Sequence, residues 1–113
     1  MKPGKRREKM PPFVALPRAM LKESAWRTGL SSSAKIVYVH LKYKFVGTNN
    51  GEICLHYSEL KDFMASATIC RAFKELEVKE WIHKEQIVGG KYRFTVKYRL
   101  TGKHDEAISR FKL

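Results

Sequence analysis

Arg71 and Lys74 lie about one helical turn apart, just behind the small residues Ser66, Ala67 and Thr68. Those residue types at that spacing suit the reading of a polyanion. A guanidinium presents a planar fork of donors that fits guanine O6 and N7 or a phosphate. The Thr68 hydroxyl can reach a phosphate and its methyl can meet that of a thymine, while Ala67 keeps the leading edge of a helix slim enough to enter a groove. The same pattern also describes an ordinary amphipathic helix whose cations are only solvated.

The elements that must position these residues can be read outward from them. Ile69, Ala72, Phe73 and Leu76 fall at the i, i+3, i+4, i+7 positions of one helical face, with Thr68, Arg71, Lys74 and Glu75 on the other and Ser66 as the N-cap. Upstream, Ser58 is placed to cap a short helix with Leu60, Phe63 and Met64 on its apolar side, and Met64-Ala65-Ser66 is then the turn between the two. The stretch from Tyr57 to Trp81 thus reads as a helix-turn-helix.

Composition narrows the partners. The 113 residues suffice for one domain, and 43% apolar with 30% charged residues is ordinary for a globular chain. Twenty-three Lys plus Arg against eleven Asp plus Glu leave +12, which favours a polyanionic partner. Nucleic acid fits best, although an anionic membrane surface or simple solubility also selects such a balance. No apolar run approaches the ~20 residues of a spanning helix and the start lacks a signal-peptide core, so a cytoplasmic, nucleoid-associated location without membrane contact is expected. Cys54 and Cys70 form no CxxC pattern and are expected to be buried or half-buried thiols. His40, His56, His83 and His104 show no metal spacing, and neither a Gly-rich phosphate loop nor a nucleophile motif is present. A non-enzyme without metal or cofactor is the expectation.

Taken in order, residues 1–12 form a basic arm with Lys5, Arg6 and Arg7, expected to be disordered alone and to serve as a phosphate-tracking arm or a solubilising tail. Phe13-Val14-Ala15-Leu16 reads as an edge strand, and Pro17 opens a helix with Met20, Leu21, Ala25 and Trp26 as its buried stripe. After Thr28-Gly29 a capping serine restarts a helix whose core stripe is Ala34, Val37, Tyr38, Leu41 and Phe45, with Lys35, Lys42 and Lys44 outside it. Asn49-Asn50-Gly51 is a turn, and Glu52-Ile53-Cys54-Leu55 a short strand. From Ile82 the pattern alternates, Gly89-Gly90 marks a hairpin tip, and the second strand sets Tyr92, Phe94, Val96, Tyr98 and Leu100 opposite Lys91, Arg93, Thr95, Lys97 and Arg99. Residues 102–113 read as a tail or a short helix through Ala107, Ile108 and Phe111.

Helices, a short strand, a helix-turn-helix and a Gly-tipped hairpin in that order resemble the winged helix-turn-helix family. The fold class expected is therefore α+β, with three to four helices, a small antiparallel sheet and a β-hairpin wing over residues 13–101. More narrowly, Phe13 to Pro17 with Ala25-Trp26, Leu30-Ser31 with Ala34, Asn49-Asn50-Gly51 with Ile53, and the helix from Thr68 to Leu76 look like the N-terminal modules of phage, plasmid and mobile-element replication or regulatory proteins of bacteria. The resemblance implies that Ala67, Thr68, Arg71 and Lys74 face the major groove while Lys91 and Arg93 approach phosphates. The chain departs from the family where such modules commonly carry a Gly just after the recognition helix; here the residues are Lys79-Glu80-Trp81.

The function expected is double-stranded DNA binding in replication initiation or transcriptional regulation, through Ser66, Ala67, Thr68, Arg71, Lys74, Lys91, Arg93, Lys5, Arg6 and Arg7, with a homodimer or a further domain or protein partner supplying added specificity. The alternative is a winged-helix protein-interaction module without sequence-specific DNA binding, served by Val78, Ile87, Val88 and the tail. Binding of RNA or of single strands, with bases stacked on Tyr92, Phe94 and Tyr98, ranks third, because strict alternation marks a core face.

Overall fold

Helices come first in this chain and a hairpin follows. The computed structural model describes residues 13–89 and 94–109. They form α1 (Arg18–Lys22), α2 (Ser24–Arg27), α3 (Ser32–Lys44), a single 3-10 turn over Tyr57–Glu59, α4 (Ser66–Val78), the antiparallel strands β1 (Ile82–Gly89) and β2 (Phe94–Leu100), and α5 (Glu106–Ser109). The result is a small α+β domain. Among the described residues no helix is long and apolar enough to cross a membrane.

The two apolar periodicities become the two longest helices, and they pack on each other. Ala34, Val37, Tyr38 and Leu41 of α3, and Ile69, Ala72, Phe73 and Leu76 of α4, are all buried. Burial of each large side chain is worth roughly 1.5–3 kcal/mol, so this pairing supplies much of the stability. Ser31 Oγ caps α3 by accepting from the Ala34 amide at 3.2 Å. The same serine donates from its amide and its hydroxyl to the Glu75 carboxylate, at 2.8 and 2.7 Å, which ties the start of α3 to the middle of α4. Asn49 accepts from the Val46 amide and donates to the Lys44 carbonyl, closing the end of α3. Asn50 brackets the backbone of Leu100, accepting at 2.7 Å and donating at 3.0 Å, so the turn is fastened to β2.

Several local expectations are corrected by packing. The segment 13–17 carries no regular structure, and the helix expected after Pro17 is split at Glu23, whose extended backbone separates α1 from α2. The break rotates the stripe: Met20 is buried and Leu21 exposed, with Ala25 and Trp26 half-buried. Gly29 is required where α2 ends, because a Cβ there would sit 2.5 Å from the Ala25 carbonyl oxygen. Glu52 to Leu55 make no strand; Ile53 alone forms a bridge, exchanging both backbone hydrogen bonds with Tyr98 at 3.2 and 2.8 Å. The first helix of the expected pair is only the 3-10 turn and a following hydrogen-bonded turn. Here Glu59 accepts from the His56 amide at the start of the turn, as in a capping box, and reaches across to Lys44, whose hydrogen bond holds its carboxyl below the usual range.

Between α4 and β1 the chain turns through Glu80 at φ 65°, a left-handed conformation that glycine normally takes. The Glu80 amide bonds Glu77 O at 3.0 Å and the Trp81 amide bonds Leu76 O at 2.9 Å, a Schellman ending with glutamate in the strained place. Thr101 Oγ1 donates to the Glu80 carbonyl at 2.7 Å, and Trp81 is buried against Tyr38 and Trp26, so tertiary packing holds what the local sequence disfavours. The hairpin then pairs Ile82 with Leu100 through Gly89 with Phe94, with an irregularity between Lys84 and Gln86 that interrupts the alternation of β1. Gly89 therefore belongs to the strand, and Gly90, Lys91 and Arg93 lie outside the described residues.

A buried polar cluster joins both ends of the described chain to α3. Lys42, expected on the outer face, is buried and ion-paired at 2.7 Å with Asp105, which also accepts from the Tyr38 hydroxyl at 2.6 Å. Lys42 also donates to the Ala15 carbonyl. Burial first, and then the Asp105 charge, push the Tyr38 phenol well above its ordinary range, so it stays a donor. Beside this cluster Ile108 of α5 is buried, so Asp105 and Ile108 fasten the segment to the same core.

Candidate nucleic-acid interface

At 100° per residue, Ala67, Arg71, Lys74 and Val78 fall along one line of α4, opposite the buried face. All four are exposed. Ser66 and Thr68 lie on the two flanks: Ser66 is exposed and Thr68 half-buried, so Thr68 offers its side chain at the edge of the stripe. The helix begins one residue earlier than expected, with Ala65 as the N-cap and Ser66 as the first helical residue. Ala65 offers no side-chain acceptor, which leaves the first-turn amides to solvent or to a bound anion.

The acids of α4 are drawn off this stripe. Glu75 leans to one flank, held by Ser31 and lying 3.7 Å from Lys79. Partial burial pushes its carboxyl upward, but the two Ser31 hydrogen bonds and Lys79 outweigh that, so the group sits below the ordinary range and stays ionised. Glu77 leans to the other flank, 4.0 Å from Lys84 on β1. Arg71 and Lys74 themselves have no ion-pair partner among the described residues. By contrast Lys44, Lys97, Arg99 and Lys103 each face a carboxylate. The unneutralised positive charge of α4 is therefore concentrated where the helix is most accessible.

Beside the stripe, a groove of about 530 Å³ runs between α4, the turn at 55–57 and the hairpin. Phe73, Val96 and Tyr98 form its floor, and Tyr57, Cys70, Lys74 and Lys84 its exposed rim. Three rings stack across it: Tyr57 on Phe73 at 5.9 Å and 9°, and Phe73 on Tyr98 at 5.1 Å and 24°. Burial above all raises both phenols, and the Cys70 thiol beside the Tyr57 hydroxyl adds to its shift. Cys70 is exposed, against the expectation of a buried thiol, because it lies one turn before Lys74 on the groove side of α4.

Of the residues singled out from sequence, Ser66, Ala67, Thr68, Arg71 and Lys74 come together on one side of α4, whereas Lys5, Arg6, Arg7, Lys91 and Arg93 lie outside the described residues. Tyr57, Glu77 and Lys84 were not assigned a role from sequence. Tyr57 is sixteen residues from Phe73 and forty-one from Tyr98, and no local periodicity signals that the three rings meet. No group of His, Cys, Asp and Glu suited to a metal occurs among the described residues. Comparison of the chain with protein-family models, curated proteins and solved structures found no match.

Proposed function

We propose that the chain is a winged helix-turn-helix module that binds double-stranded DNA, with α4 in the major groove and the β1–β2 hairpin as a wing along the backbone. The observation that carries this reading is the α4 stripe: a slim start at Ala67, then Arg71 and Lys74 free of ion pairs while both acids of the helix are held to its flanks. Arg71 reads a base edge, Lys74 and the first-turn amides take phosphates, and Lys91, Arg93 and the basic arm add sequence-independent affinity. A single module covers few base pairs, so a second copy or a further domain supplies the remaining specificity in replication initiation or transcriptional regulation.

A site selection on random duplexes tests this, followed by Arg71→Ala and Lys91→Ala on the selected and scrambled sites. Arg71→Ala is expected to lose discrimination by about 1–3 kcal/mol, while Lys91→Ala weakens all sequences alike. Equal loss on every sequence for Arg71→Ala would remove its base-reading role. A second reading, a protein partner in place of DNA, is favoured by the exposure of Val78 at 73% and Ile87 at 62%, and it gains if no duplex binds even at low salt.

A further inference from the structure

We infer that the groove between α4 and β2 holds one unpaired nucleotide of a single DNA strand, its base stacked on Tyr57 and its phosphate on Lys74. This goes beyond duplex binding and does not depend on it. Tyr57 ends the three-ring stack and remains 41% exposed, so a further planar group can extend the stack there and not at the buried Phe73 or Tyr98. Bases offer such a face in a single strand, where they are free of a pairing partner. The volume, about 530 Å³, lies in the range that encloses a small organic ligand.

Charge selects the rest of the ligand. Lys74 is unpaired among the described residues and is available to a phosphate, whereas Lys84 lies 4.0 Å from Glu77 and is partly neutralised. Glu77 supplies the carboxylate of the lining. It accepts from the exocyclic amine of adenine, cytosine or guanine, whereas thymine offers only its N3–H, flanked by two carbonyls that a carboxylate repels. The groove therefore prefers amine-bearing bases. An unpaired nucleotide is also what a free mononucleotide offers; the strand is favoured because the +12 chain gains phosphate contacts on either side of the groove.

The test is titration of deoxyadenylate and thymidylate hexamers, and of dAMP, into the wild-type chain, Tyr57→Ala, Tyr57→Phe and Glu77→Gln, read by NMR and by anisotropy. The deoxyadenylate hexamer is expected to bind more tightly than the thymidylate hexamer and to shift the Tyr57 ring signals upfield. Tyr57→Ala should weaken it about fivefold or more, Tyr57→Phe should stay within about twofold, and Glu77→Gln should narrow the base preference. Hexamer binding that leaves the Tyr57 signals of the wild-type chain unmoved overturns the inference, whether or not Tyr57→Ala folds. So does dAMP binding as tightly as the hexamer, which would make the groove a mononucleotide site. Duplex affinity, measured in parallel, is expected to be unchanged in Tyr57→Ala; duplex binding without hexamer binding sinks this inference alone, and the reverse sinks only the duplex reading.

Discussion

Asp105→Asn removes one charge and almost no volume from the most buried polar cluster in the chain. The Lys42 and Asp105 side chains are 3% and 1% exposed, 2.7 Å apart, and Tyr38 shares the same carboxylate. The substitution preserves an oxygen to accept from the Ala107 amide, so α5 keeps its cap while Lys42 is left as an uncompensated buried cation. Breaking such a pair from one side costs about 3–5 kcal/mol. At roughly 0.05–0.15 kcal/mol per residue, this is about a fifth or more of the stability of a chain this size. Urea unfolding followed by Trp fluorescence reads it directly: with a slope of ~1–3 kcal/mol/M, the midpoint should fall by about 1–5 M at unchanged slope. The double variant Lys42→Met/Asp105→Asn, which removes both charges but keeps an oxygen for Tyr38 and Ala107, should recover most of the loss. A cost under about 1 kcal/mol for Asp105→Asn would refute the view that the pair is desolvated and mutually dependent.

Glu80→Gly should raise the thermal midpoint by about 4 °C, because it relieves a left-handed glutamate at the Schellman position; differential scanning calorimetry checks it, and a lowered midpoint would show that the Lys103 contact outweighs the backbone strain. Glu75 has a folded pKa below its unfolded value, so its stabilisation is complete above the unfolded pKa and is lost as pH falls through the folded one. Glu75→Gln should therefore lower stability at pH 7 and flatten the decline below about pH 4.5, as read from urea midpoints across pH. Ser31→Ala should cost about 1–2 kcal/mol in the same assay, since it removes the α3 cap and one of the hydrogen bonds to Glu75.

What could be read from residue order was whatever local periodicity determines. The stripes of α3 and α4 needed only helical spacing, and the hairpin only alternation around glycines. Lys42 was misplaced because its position beside Leu41 is at the edge of the stripe, and only the arrival of Asp105, sixty-three residues later, makes burial of an ammonium tolerable. Ser58 was misplaced as a cap because the turn begins two residues earlier, at His56, whose amide donates to the Glu59 carboxylate, and Ser58 lies inside it. The α4 stripe was legible; the groove beside it was not, since Tyr57, Glu77, Lys84 and Tyr98 meet only through the tertiary pairing of α4 with the hairpin.

The central claim is that α4 and its surroundings bind duplex DNA, and fluorescence anisotropy of a labelled 20-mer duplex titrated at 50 and 200 mM salt tests it most directly. With about six phosphates engaged, affinity should fall about a thousandfold between the two conditions, and Arg71→Ala with Lys74→Ala should weaken binding and reduce the salt slope by about one contact, that of Lys74. No duplex binding at 50 mM salt, or binding whose strength and slope are untouched by those substitutions, would contradict it.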